Sequence, residues 1–164
     1  MKIEFRPIGV VHTPFTGTAD MPIQPAGAIG VQGAVEVFPE FAAGLKDLEG
    51  FSHIYLLYLF HRADGFKLAV KPFLDAHERG VFATRAPKRP NPIGLSVVRL
   101  ARQEGNILHV ENVDILDGTP LLDIKPYVPE FDQFTVERVG WLAEARGKVR
   151  EKRSDDRFGK ANTP

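Results

Sequence analysis

The 164-residue sequence predicts one mainly β domain, a barrel or a sandwich. Two observations carry this. About seven or eight short runs of β-branched and aromatic residues follow one another, separated by Gly- and Pro-bearing turns. Strands do not alternate with long helical patterns, as a doubly wound α/β sheet requires.

Taken in order, Ile3 to His12 reads as a strand closed by Thr13-Pro14. Residues 16–30 are rich in Gly, Pro and Ala, without periodicity, and read as a long loop of the kind that often carries function. Gly27, Gly30 and Gly33 do not form the dinucleotide fingerprint, because no strand precedes them and no helix follows. Ala34 to Phe38 alternates as a short strand. Glu40 to Leu48 suits a short helix with Phe41, Leu45 and Leu48 on one side.

Phe51 to Phe60 is the strongest strand. It is apolar on both alternating faces and is therefore expected to be buried on both. His53 inside it reads as a core residue; His61 at its end is equally a core or a site residue. Phe66 to Pro72 is expected as a strand and Asp75 to Gly80 as a polar loop. A short apolar run, Val81 to Thr84, then leads into a stiff basic segment. Ile93 to Leu100 and Ile107 to Leu116 are expected strands of a hairpin turning at Glu104-Gly105-Asn106. Asp117-Gly118 is a hairpin-type turn before a strand from Leu121 to Tyr127. Val136 to Arg150 is the one segment suited to a longer helix. The expected organisation is a domain over 3–150 and a polar tail over 151–164.

Composition excludes several classes. There are no cysteines, which removes disulfides and thiolate chemistry. The formal net charge is zero, so attraction to a polyanion must come from local clusters. No apolar run approaches a membrane span and no signal peptide is evident, so a cytoplasmic protein is expected. The five histidines are scattered, so no metal site is expected. No P-loop, GxSxG or HExxH pattern is present.

Two stretches concentrate polar chemistry. From Arg85 to Pro92, Pro87, Pro90 and Pro92 fix φ three times and remove three N–H donors, while Arg85, Lys88 and Arg89 supply charge. This makes a rigid presenter of cations and carbonyls; alone it reads as a stiff surface turn with solvated charges rather than a site. Arginine there favours phosphates or carboxylates. From Val113 to Tyr127 polar groups crowd a tight turn, with Asp123 and Lys125 on one strand face and Tyr127 further along it. Alone, this second stretch reads as a hairpin turn with a surface Lys–Asp pair.

Four segments in this order, IGVVHTPF, FSHIYLLYLFHR, GVFATRAPKRPNPIGLS and DILDGTPLLDIKPYVP, closely resemble the TrmO/TsaA-like (YaeB) family. These are S-adenosylmethionine-dependent tRNA methyltransferases, and the resemblance runs from about Ile8 to Pro129. It implies a closed or nearly closed β-barrel with one or two short helices and a C-terminal helix. It also implies a homodimer with the cofactor near the interface, and the tRNA anticodon loop as partner. The reaction implied is methylation of N6 of threonylcarbamoyladenosine beside the anticodon. By motif matching, the resemblance implies cofactor contacts from Gln24, Pro25, Ala26 and Gly27, from His61 and Arg62, from Arg85 to Leu95, and from Asp117, Gly118, Thr119 and Pro120.

The acceptor of such a reaction is a weakly nucleophilic N–H, for which a proton acceptor typically gives roughly 10²–10⁴-fold. Asp117, Asp123 and His61 are the candidates. Arg85, Lys88, Arg89, Asn91, Lys125 and Tyr127 are the candidate substrate contacts, and Phe60, Phe82 and Tyr127 the candidate aromatic neighbours of the sulfonium. Two other classes stay open: a methyltransferase of this fold acting on another acceptor, and a non-catalytic S-adenosylmethionine sensor.

Overall fold

The computed structural model describes residues 3–18, 21–22, 25–145 and 154. Its strands are β1 (Gly9–His12), β2 (Gln32–Val37), β3 (His53–Leu59), β4 (Ala69–Val70), β5 (Arg79–Gly80), β6 (Ile93–Glu104), β7 (Ile107–Glu111) and β8 (Thr119–Pro126). Six of them close into a barrel in the order β1-β2-β7-β6-β3-β8, every pairing antiparallel. β4 and β5 form a separate two-stranded ribbon. Among the described residues helix is confined to short 3₁₀ turns and one four-residue α-helix, α1 (Pro129–Asp132).

Period-2 alternation builds the barrel. Val11, Val35, Val37, Ile54, Leu56, Val98, Leu100, Leu108, Val110 and Leu121 fill the interior, with Val113 and Ile115 from the β7–β8 connection. Closure removes sheet edges, so no backbone ladder is left open within the barrel. The β6–β7 hairpin turns through Gly105, at φ +60°. Asn106 then ties the turn to β2, its side-chain amide donating to the Val37 carbonyl at 2.7 Å.

Several elements differ from the sequence expectation. β1 begins only at Gly9. β7 stops at Glu111, because Asn112 takes a left-handed φ of 64° and its backbone N–H turns to Val31. The expected helix over 40–48 is a pair of 3₁₀ turns, Pro39–Leu45 and Leu48–Gly50, broken at Asp47 with φ 67°. Of 66–72, only Ala69 and Val70 are strand, and their partners Arg79 and Gly80 come from the expected polar loop. Val81–Ala83 is a 3₁₀ turn rather than a strand. The expected helix over 136–150 reduces to a 3₁₀ segment, Gly140–Ala145; residues 146–150 lie outside the described residues, as does the expected tail apart from Ser154.

β3 is not buried on both faces. Ile54, Leu56 and Tyr58 are buried, whereas His53, Tyr55, Leu57 and Leu59 are half-buried. His53 belongs to this second set, so it is not a core residue; its Nδ1 lies 3.0 Å from the Ser52 hydroxyl and its ring meets Tyr127 edge-on. Among the described residues no helix is long and apolar enough to cross a membrane.

Candidate active site

Because β3 runs antiparallel to both β6 and β8, its C-terminal end meets the starts of those strands. Tyr58 pairs with Gly94 on one side and Leu121 on the other. A side chain at Gly94 would run into the Tyr58 ring, so glycine is what lets that ring lie across β6. At this end the barrel lining turns polar: Ser96 and Thr119 are its buried hydroxyls.

The excursion from β3 to β6, residues 61–92, folds beside this polar end. Between them lies a cleft of about 1240 Å³. Its floor is Tyr58, Gly94, Asp114, Ile115 and Thr119. Its walls carry Phe60, Phe73, Phe82 and Trp141, with Arg62, Arg85, Arg89 and Asn91 contributing polarity. Leu95 and Val97, on the alternate face of β6, extend it along the outside of the barrel.

The walls are braced internally. Arg89 donates from Nη1 to the Thr84 carbonyl at 3.1 Å and the Ala86 carbonyl at 3.4 Å, and the Ala86 N–H donates to the Thr84 hydroxyl. Arg62 donates to the Thr16 carbonyl at 2.9 Å, tying the first loop to the end of β3. The Trp141 indole N–H donates to the Ala83 carbonyl at 2.9 Å, and the Arg79 guanidinium lies 5.9 Å from its ring. Arg79 is itself held by Asp75 at 2.6 Å. Ser154 is hydrogen-bonded to Met21 and Thr18 of the first loop.

The floor holds a hydrogen-bonded chain. The Ser96 hydroxyl donates to Asp114 Oδ1 at 2.6 Å; its single proton being used, the Tyr58 hydroxyl 3.1 Å away donates to Ser96 Oγ. Burial pushes the Tyr58 phenol far up, with the Asp114 charge adding to it, so tyrosine stays protonated. Burial likewise raises the Asp114 carboxyl to about 6, against the pull of the Ser96 hydrogen bond. Beside this chain, His61 Nδ1 lies 3.3 Å from the Thr119 hydroxyl. Burial, then the neighbouring Arg62, lowers the His61 pKa, favouring the neutral ring.

The structure gathers only part of the expected site. Ala26, His61, Arg62, Arg85, Arg89, Asn91, Leu95 and Thr119 line the cleft, as do Phe60 and Phe82. Gln24 lies outside the described residues. Pro25 and Gly27 share a 3₁₀ turn with Ala26; Gly27 does not line the cleft, and neither do Lys88, Gly118 and Pro120.

Asp117 faces elsewhere: its Oδ1 accepts the Thr13 N–H at 3.0 Å, and the backbone N–H groups of Asp117 and Gly118 bond to Phe15 and Val11. This turn staples β8 to the end of β1. Asp123 pairs with Lys125 at 2.8 Å, away from the cleft. Tyr127 packs against Tyr55, ring centroids 5.6 Å apart.

Residues 10–133 match the family model of the tRNA-methyltransferase O N-terminal domain. The chain belongs to this family, the TrmO family. A TrmO crystal structure superposes with a TM-score of 0.74 at 44% identity, over 85% of this chain and 64% of that one. TrmO from Pseudomonas aeruginosa gives 0.72 at 42% identity, over 86% and 63%. A probable S-adenosyl-L-methionine-binding protein of Pyrococcus abyssi is 57% identical over 162 residues, 99% of this chain and 88% of that protein. The mouse tRNA (adenine(37)-N6)-methyltransferase is 36% identical over 133 residues, 77% of this chain and 31% of the enzyme. The chain thus spans less than two thirds of these solved TrmO chains and less than a third of the mouse enzyme.

The cleft also includes groups that sequence reasoning passed over: Tyr58, Asp114 and Trp141 on its lining, and Ser96 bonded to the first two. Ser96 carried a signal, a lone hydroxyl at an inward position of an apolar strand. Asp114 carried little, because it sits four residues before a turn already rich in polar groups.

Proposed function

We propose that this TrmO-family chain methylates N6 of threonylcarbamoyladenosine beside the anticodon of tRNA, using S-adenosylmethionine. The coarser activity, S-adenosylmethionine-dependent tRNA methylation, is that of the family. One observation carries the reading: within a chain matched by the family over residues 10–133, Ala26, His61–Arg62, Arg85, Arg89, Asn91, Leu95 and Thr119 come from distant segments to one cleft.

The residues present suit the cofactor. Ligand clefts commonly run about 300–1,000 Å³. This one exceeds that, leaving room for a nucleoside-sized cofactor and part of an acceptor. Phe60, Phe73, Phe82 and Trp141 offer ring faces and an apolar wall, and Ala26, Leu95 and Thr119 offer close backbone approach. When bound, S-adenosylmethionine supplies an activated methyl group on a sulfonium.

The chain's own groups then have definable roles. The aromatic wall excludes water from the methyl path. Arg85 and Asn91, both exposed on the cleft wall, meet the carboxylate or phosphates of the acceptor, while Arg89 holds the loop that carries them. His61, neutral near pH 7, takes the acceptor proton; Asp117 and Asp123 are too engaged elsewhere for that role. Half-exposed Leu95 and the 75% exposed Phe82 border the cleft and suit contact with a second subunit, in keeping with the homodimer that the resemblance implies. A cytoplasmic location goes with this function.

Labelled methyl transfer onto tRNA tests the reading. Transfer confined to tRNA bearing the threonylcarbamoyl group supports it. Equal transfer to tRNA lacking that group identifies another acceptor. Cofactor binding without transfer to any tRNA favours a sensor, the reading closest to the name of the Pyrococcus relative.

A further inference from the structure

Asp114 is an unusual component of the cleft floor. The residue as a whole is half-buried, but its carboxyl group is buried and lines the cleft. Its side chain is hydrogen-bonded by the Ser96 hydroxyl and by its own backbone N–H, and Arg85 acts on it electrostatically. Desolvation of the carboxylate outweighs these contacts, which is the reason its pKa rises to about 6. Arg85 offsets this only as the weakest of the contributions.

Two features show that the group is held in place rather than left over. Tyr58 donates to Ser96 and Ser96 to Asp114, a directional chain that fixes the carboxylate from β3 and β6. The Tyr58 ring that begins this chain requires Gly94 beneath it. The protein therefore positions a weakly compensated anion on the lining of the cleft.

We infer that Asp114 is the cation-recognition residue of the cleft, its carboxylate receiving a positively charged group of the bound ligand. This rests on S-adenosylmethionine being that ligand. Ser96 and Tyr58 are then positioning residues, acting through Asp114. The ligand carries two positive groups, the sulfonium and the α-ammonium. S-adenosylhomocysteine keeps only the second, so it separates them.

The test is calorimetric titration of the full chain and of Asp114→Asn with both compounds at pH 7.5. Asparagine keeps the size of the side chain and still accepts the Ser96 hydrogen bond, and the melting temperature of the variant checks its fold. The expected result is a loss of roughly 10- to 100-fold in affinity for S-adenosylmethionine. An unchanged affinity for S-adenosylhomocysteine assigns the contact to the sulfonium; an equal loss assigns it to the ammonium. Either supports the inference.

Lowering the pH from 7 to 5 should weaken S-adenosylmethionine binding more in wild type than in Asp114→Asn. Other groups face this region: His61 at the end of β3, Tyr58 through Ser96, and Arg62, Arg85 and Arg89 on the walls. They remain in both proteins, so the difference between the two profiles isolates Asp114. If Asp114→Asn binds both compounds as tightly as wild type, the inference is overturned while the cofactor assignment stands. If wild type binds neither, the cofactor assignment itself fails.

Discussion

The Ser96 hydroxyl lies 2.6 Å from Asp114 Oδ1, joining the inward face of β6 to the segment that leads into β8. This contact, with the Tyr58 hydroxyl behind it, makes the polar end of an otherwise apolar barrel.

It has a consequence for stability. The Asp114 pKa in the folded chain, about 6, lies above its ordinary value of 3.8. The fold therefore favours the protonated acid. The penalty is absent below about pH 4, grows between 4 and 6, and is constant above. At pH 7 it is worth roughly 2–3 kcal/mol. Asp114→Asn should thus be more stable than wild type at pH 7 by up to that amount, with the gap closing near pH 4. Urea unfolding at the two pH values measures it.

Gly94 offers a steric test. Gly94→Ala would drive a methyl group into the Tyr58 ring within a paired stretch of barrel. The expected cost is roughly 1–3 kcal/mol. Because the ring must move, the Ser96 and Asp114 contacts are disturbed as well. A lower urea midpoint together with weaker ligand binding is expected; an unchanged midpoint means that the ring has free space to move.

As the proposed proton acceptor, His61 should set the acid limb of activity. Its pKa is lowered by burial and by Arg62, so the neutral base persists below the ordinary value of 6.5. With S-adenosylmethionine saturating, so that titration of Asp114 does not enter, kcat/KM for tRNA should fall on the acid side with a midpoint below 6.5, and His61→Gln should remove that limb. An unaltered profile in the variant excludes His61 as proton acceptor.

Trp141 is the sole tryptophan, and it lines the cleft. Intrinsic fluorescence therefore reports on cleft occupancy directly. Trp141→Phe keeps an aromatic wall but loses the hydrogen bond to Ala83, at a cost of about 1 kcal/mol. A shift in emission on adding S-adenosylmethionine is expected.

Much of the barrel was legible in the sequence because its signals are local. Alternation marks β2, runs of β-branched and aromatic residues mark β3, β6 and β8, and Gly105 marks the hairpin. What was not legible depends on distant chain. The Pro-rich loop could be read as stiff, but not that Arg89 spends its guanidinium on the loop's own carbonyls. Asp117 and Asp114 are three residues apart in one polar run. Only the folded chain separates them, sending the first to Thr13 at the end of β1 and the second into the cleft. The apolar pattern of 136–150 suggested a helix, yet Gly140 sits at φ +58° and the segment that follows is a short 3₁₀ turn anchored by Trp141.

The most direct test of the central claim is transfer from methyl-labelled S-adenosylmethionine to two tRNA preparations, identical except for the threonylcarbamoyl group, followed by nucleoside analysis. The expected result is label in a single nucleoside, methylated threonylcarbamoyladenosine, from the modified preparation alone, with loss of transfer in Arg85→Ala. Label in neither preparation, despite measurable cofactor binding, would contradict the assignment of this chain as a tRNA methyltransferase.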